Sequence, residues 1–128
     1  MPATILRFAI AALLSAAVSF QAQALDSQSK IDLQAALLNF LELTSDESGQ
    51  FRVIDRDSGE PLEIYAGAMH PKIIPLGDDQ VLCIEMFDKA GGRHDADFVM
   101  RRTDAGWMVV DILINQRALL KKARSGSK

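Results

Sequence analysis

The chain has 128 residues and a net charge of −3, and its 48% apolar and 24% charged residues are those of a globular protein rather than a disordered one. A single cysteine, Cys83, excludes an internal disulfide framework, and the acidic balance argues against nucleic-acid binding, which needs a basic face to neutralise phosphates. The length provides one domain, large enough to bury a core without disulfide or metal staples.

The first element is a leader. Arg7 precedes an apolar run from Phe8 to Val18 and then Ala22-Gln23-Ala24. A charged end, a short apolar middle and a small-x-small site form the pattern of a secretory signal peptide over residues 1–24, with cleavage expected after Ala24. The apolar run is about half of the roughly 20 residues a spanning helix requires. Cys83 is far from the cleavage site, so no thiol is placed for lipid attachment, and no stable membrane anchor is expected after cleavage. The expected location is the periplasm or the medium. Loss of Arg7 with the leader takes the net charge from −3 to −4. The end of the chain holds Arg117, Lys121, Lys122, Arg124 and Lys128 and no acid, so the body without these five is at −9. Residues 25–116 read as a single α+β domain and residues 117–128 as a basic, flexible, solvated tail.

From Ser27 or Ser29 to Leu43, Leu33, Leu37, Phe40 and Leu41 recur at helical spacing, which predicts an amphipathic helix with a serine cap. Thr44 to Gly49 ends it. Strand-like runs follow at Phe51–Arg56, Leu62–Met69, Lys72–Leu76, Val81–Phe87, Arg93–Arg102 and Trp107–Asn115. Pro71 and Pro75 bracket Lys72–Ile74 and assign that piece to an edge or an irregular corner.

Asp57-Ser58-Gly59, Lys89-Ala90-Gly91 and Asp104-Ala105-Gly106 each suit a three-residue hairpin ending on a left-handed glycine. Turn length fixes register. The last turn pairs Thr103 with Trp107, and then Met100 with Val110, Phe98 with Ile112 and Ala96 with Ile114. The middle turn pairs Asp88 with Gly92, and then Met86 with His94, Ile84 with Ala96 and Leu82 with Phe98. Both select one nearly apolar face, the natural seat for the helix. The expected fold is therefore α+β: one helix packed on a curved antiparallel sheet of four to six strands.

The same register puts Cys83, Glu85, Asp95, Asp97, Arg101, Trp107, Val109 and Asp111 on the opposite face. Glu85 lies across from Asp95, Asp97 across from Cys83, and Asp111 across from Val99. Opposed like charges on a sheet cost stability. A solvated outer face, basic partners such as Arg93 and Arg101, a bound cation, or a carboxyl with raised pKa would each account for them. Asp97, Asp95 and Glu85 are the candidate catalytic carboxylates; His70, Trp107 and Asp111 are the candidate ligand-binding residues. His94 and both aspartates of His94-Asp95-Ala96-Asp97 fall on opposite faces, which undercuts a metal site there. Cys83 reads as a small buried hydrophobe, with an intermolecular bridge or a redox thiol as the other readings. No phosphate cradle, paired-cysteine motif or nucleophile elbow occurs, and no cofactor is expected.

The element order is similar to the cystatin-like and NTF2-like arrangements, in which a sheet wraps around a helix. His70-Pro71-Lys72-Ile73-Ile74-Pro75-Leu76-Gly77-Asp78, with Val81-Leu82-Cys83 and Asp97-Phe98, resembles small exported bacterial proteins of uncharacterised function, over most of residues 51–115. That resemblance carries no activity. The Gln-x-Val-x-Gly hairpin of a protease-blocking cystatin is replaced by Gln80-Val81-Leu82-Cys83-Ile84, and Tyr65 is the only tyrosine for an NTF2-like isomerase or dehydratase. The leading expectation is a non-enzymatic exported binding or accessory protein acting on a protein partner or small ligand, with a homodimer also open to it. The rivals are a small enzyme using a pocket carboxylate as general base and a divalent-cation-binding protein.

Overall fold

A computed structural model describes residues 25–126; the expected signal peptide lies outside the described residues. The elements are α1 (Ser27–Thr44), β1 (Gln50–Ile54), β2 (Pro61–Leu76), β3 (Asp79–Phe87), β4 (Arg93–Thr103), β5 (Gly106–Ile114) and α2 (Arg117–Gly126). The strands form one open antiparallel sheet in the order β1-β2-β3-β4-β5. The fold is α+β.

Leu33, Leu37 and Leu41 lie four residues apart on α1 and are buried against one face of the sheet. Their partners are Phe51, Ile64, Leu82, Ile84, Met86, Ala96, Phe98, Met100 and Ile114, the alternating inward residues of all five strands. The rings of Phe40, Phe51 and Phe98 meet at 6.1–6.3 Å between centroids. The cap of α1 is Asp26 rather than a serine: its carboxylate accepts from the Ser29 N–H at 2.7 Å. An ionised oxygen there is a stronger acceptor than a hydroxyl, and it faces the positive end of the helix dipole.

The β3–β4 hairpin has the expected register, with Leu82 opposite Phe98, Ile84 opposite Ala96 and Met86 opposite His94. Asp88 and Gly92 close its turn, and Gly91 takes φ 82°, a left-handed conformation that a side chain would strain. The β4–β5 hairpin differs. Thr103 pairs with Gly106, so the loop is two residues, Asp104-Ala105, instead of three. Met100 then faces Val109, and a bulge at Val110 restores the expected pairs Phe98–Ile112 and Ala96–Ile114. This slip carries Trp107 and Val109 to the α1 side, where both pack against the core and Arg102 lies 5.0 Å from the centre of the Trp107 ring. Burying the indole and covering it with a guanidinium is worth more than exposing it on an acidic face.

Two further differences concern β2 and the end of the chain. Residues 61–76 form one strand, irregular between Ala66 and Ile73, instead of two strands with a corner at His70. Only Pro61 to Tyr65 pair with β1. Beyond Tyr65 the outer edge of β2 has no neighbouring strand, so the missing N–H groups of Pro71 and Pro75 cost nothing there. The expected solvated tail is helical: α2 turns back after Asn115, at φ 54°, and buries Leu120 among Val81, Val99 and Leu113. Those three residues form an apolar patch on the second face of the sheet, which one leucine suffices to dock.

Phe98 is fully buried at the centre of the core. Phe98→Ala should cost about 3–5 kcal/mol in urea denaturation. Val110→Ala, at the exposed bulge, should change stability by no more than about 0.5 kcal/mol. Equal effects at the two positions would contradict this core.

Candidate functional site

The second face of the sheet carries three of the expected carboxylates in one row with their partners. Glu85 lies opposite Asp95, and the clash expected between them is answered by Arg93, 2.9 Å from Glu85 and 3.3 Å from Asp95. His70 reaches the same Glu85 at 3.4 Å from the irregular stretch of β2, so it joins the row instead of standing at a corner. The Asp95 N–H donates to the Asn115 side chain. At the rim, Asn115 donates to His94 Nδ1, which leaves Nε2 to donate to Asp88 at 2.9 Å. That bond and backbone N–H groups of Gly92 and Ala90 hold the Asp88 carboxyl below its ordinary pKa. Arg101 forms a two-pronged pair with Asp79 at 2.9 Å.

Asp97 is the exception in this row. It is 0% exposed, directly across from Cys83, and α2 lies over it. Arg117 at the start of α2 brings Nε to 3.2 Å from Oδ2, while its Nη2 donates to Cys83 Sγ. The Nε approach is an ion pair without hydrogen-bond geometry, so neither Asp97 oxygen has a hydrogen-bond partner among the described residues. Burial pushes the Asp97 carboxyl above its ordinary pKa, against the pull of Arg117. Burial, and next the neighbouring Asp97 charge, push the Cys83 thiol up to about 12. A thiol held neutral and 3% exposed is a packing group rather than a nucleophile.

The expected set is therefore divided. Glu85, Asp95, Asp97 and His70 are together on the second face. Trp107 is on the other side of the sheet, displaced by the shorter turn, and Asp111 is at a different place again. Among the described residues, no group of three or more histidine, cysteine, aspartate or glutamate side chains is arranged to hold a metal ion.

Asp111 stands at the mouth of a groove between the outer edges of β1 and β5. The groove has a volume of about 410 Å³ and is lined by Phe40, Val53, Ile54, Val109, Val110 and Ile112, with Arg56 and Asp111 as its charged groups. Phe40 comes from α1, whose ring separates the two edges. Asp111 pairs with Arg56 at 2.5 Å, and Gln116 donates to Asp57 at 3.0 Å, so the β1–β2 hairpin is tied to the end of β5. The sequence gives Phe40 a place on the apolar stripe of the helix but points to no role in a site for it, Arg56 or Val53. They belong to elements distant along the chain, and no spacing links them.

Comparison with protein-family models, with curated proteins and with solved structures finds no match to this chain.

The raised pKa of Asp97 has a definite consequence for stability. The folded state retains this proton above pH 3.8, the ordinary value, so wild-type stability is penalised as pH rises from there through the folded pKa. Asp97→Asn removes that penalty. In paired urea titrations the variant should gain on wild type as pH rises from acid to neutral, while the other carboxyls, Asp88 among them, contribute equally to both. A difference that is flat with pH would contradict the buried carboxyl.

Proposed function

We propose that this chain is a small exported binding or accessory protein that takes a protein partner or small ligand into the groove between β1 and β5. The groove itself carries the reading. It is an open depression of about 410 Å³, and its walls are mostly apolar with one ion pair at the mouth to orient a guest. Export to the periplasm or medium rests on the leader pattern of residues 1–24. Among the described residues no helix is long and apolar enough to cross a membrane. A helix laid across a curved consecutive meander supports a cystatin-like or NTF2-like fold. An enzyme of that fold needs a carboxylate facing a cavity. Asp97 has the raised pKa but is sealed by α2, whereas Asp111 has the cavity but is engaged by Arg56.

A thermal-shift screen of small apolar acids and extended peptides, run in parallel on wild type and Val110→Glu, tests this. Val110 lines the groove and is 43% exposed, so the variant charges the groove without entering the core. A groove ligand at a hundred times its Kd should stabilise wild type by about 2.7 kcal/mol and the variant far less. Ligands that stabilise both proteins equally would place binding elsewhere and overturn the reading.

A further inference from the structure

We propose that the occupant of this groove is an extended peptide carrying a basic residue, added as a strand to the free edge of β5. The inference rests on the groove being the binding site and names its guest. Among the described residues β5 pairs only with β4, and its other edge borders the groove. A free strand edge presents unpaired N–H and C=O groups at the spacing of another strand, the basis of peptide recognition by strand addition. One of these amides is already held in the way an added strand would hold it. The Ile112 N–H donates to the Asp111 carboxylate at 2.8 Å, a side-chain oxygen standing in for a strand carbonyl. A peptide carbonyl can replace it, which leaves Asp111 held by Arg56 alone and opens its carboxylate to a second cation.

The walls suit the side chains of such a guest. An extended peptide turns alternate residues to opposite sides. On β5, Val109 and Ile112 line the groove, and the bulge turns Val110 into it as well; Val53 and Ile54 face them from β1, with Phe40 between. The charge at the groove mouth selects the cation. The turn of the β1–β2 hairpin, tied to the end of β5, carries Asp55, Asp57 and Glu60 around Arg56, the partner of Asp111. This acid excess complements lysine or arginine on the guest and repels an acidic peptide.

The probe is a short synthetic peptide alternating valine and threonine with a lysine at one end, titrated into the full chain and followed by amide NMR. Binding should slow hydrogen exchange at the Ile112 amide and at other outward amides of β5. Methylating alternate backbone nitrogens of the peptide should weaken binding about tenfold or more, since each methyl removes a strand hydrogen bond. Replacing its lysine by glutamate should weaken it further, and Asp111→Asn should remove most of that preference. Absence of binding, or binding indifferent to backbone methylation, overturns the strand. If small apolar ligands still bind in a Val110-dependent way, the groove reading survives that result; if neither class binds there, both fall. Self-association of the chain that the peptide fails to displace would assign the edge to a second copy and also overturn the proposal.

Discussion

Phe98 joins the helix to two strands of the sheet that do not pair with each other. Its ring is fully buried at the middle of β4 and touches the ring of Phe40 from α1 and that of Phe51 from β1, at 6.3 and 6.2 Å. Such pairs contribute about 0.5–1.5 kcal/mol each beyond the area they bury. The cluster ties β1 and β4 to the helix. Phe40 also lines the groove between β1 and β5. The groove is thus the counterpart of the core: one side of Phe40 packs on Phe98, and the other forms the groove floor.

The second face is held by a different balance. Val81, Val99, Leu113 and Leu120 give α2 a small apolar seat, and that seat covers a carboxylate without hydrogen-bond partners. Arg117 compensates part of the cost of burying Asp97, and being half-exposed itself it keeps much of its own hydration. Replacing such a buried pair by apolar groups is often neutral or stabilising. The row formed by His70, Glu85, Arg93 and Asp95 is more open, and Arg93 offsets part of the charge of Glu85 and Asp95, so it neither threatens nor anchors the fold.

How much of this was legible depends on how local each signal is. The α1 stripe follows from helical spacing, and the β3–β4 register from one turn, because a slip of the strands would bury charges such as Arg101. The β4–β5 slip was not legible, since Trp107, Met108, Val109 and Val110 are all apolar and alternation cannot choose between registers there. Turn length had to decide, and the two-residue Asp104-Ala105 loop resembles the longer alternative. α2 was hidden for a related reason: a single buried leucine gives no periodicity within a run of basic residues. Alternation correctly put Asp97 on the second face, but its burial depends on that helix. The groove draws on α1, β1 and β5, and nothing short of the folded sheet brings those residues together.

The open seam between β1 and β5 is the claim on which the functional account depends, and amide hydrogen exchange of the free protein tests it directly. Amides linking β2 to β3 and β3 to β4 should exchange slowest, while the outward amides of β1 and β5 should exchange fast, with Ile112 slowed by its bond to Asp111. Strong protection along both outer edges would mean that the strands pair with each other or with another copy, and the groove would not exist as a site.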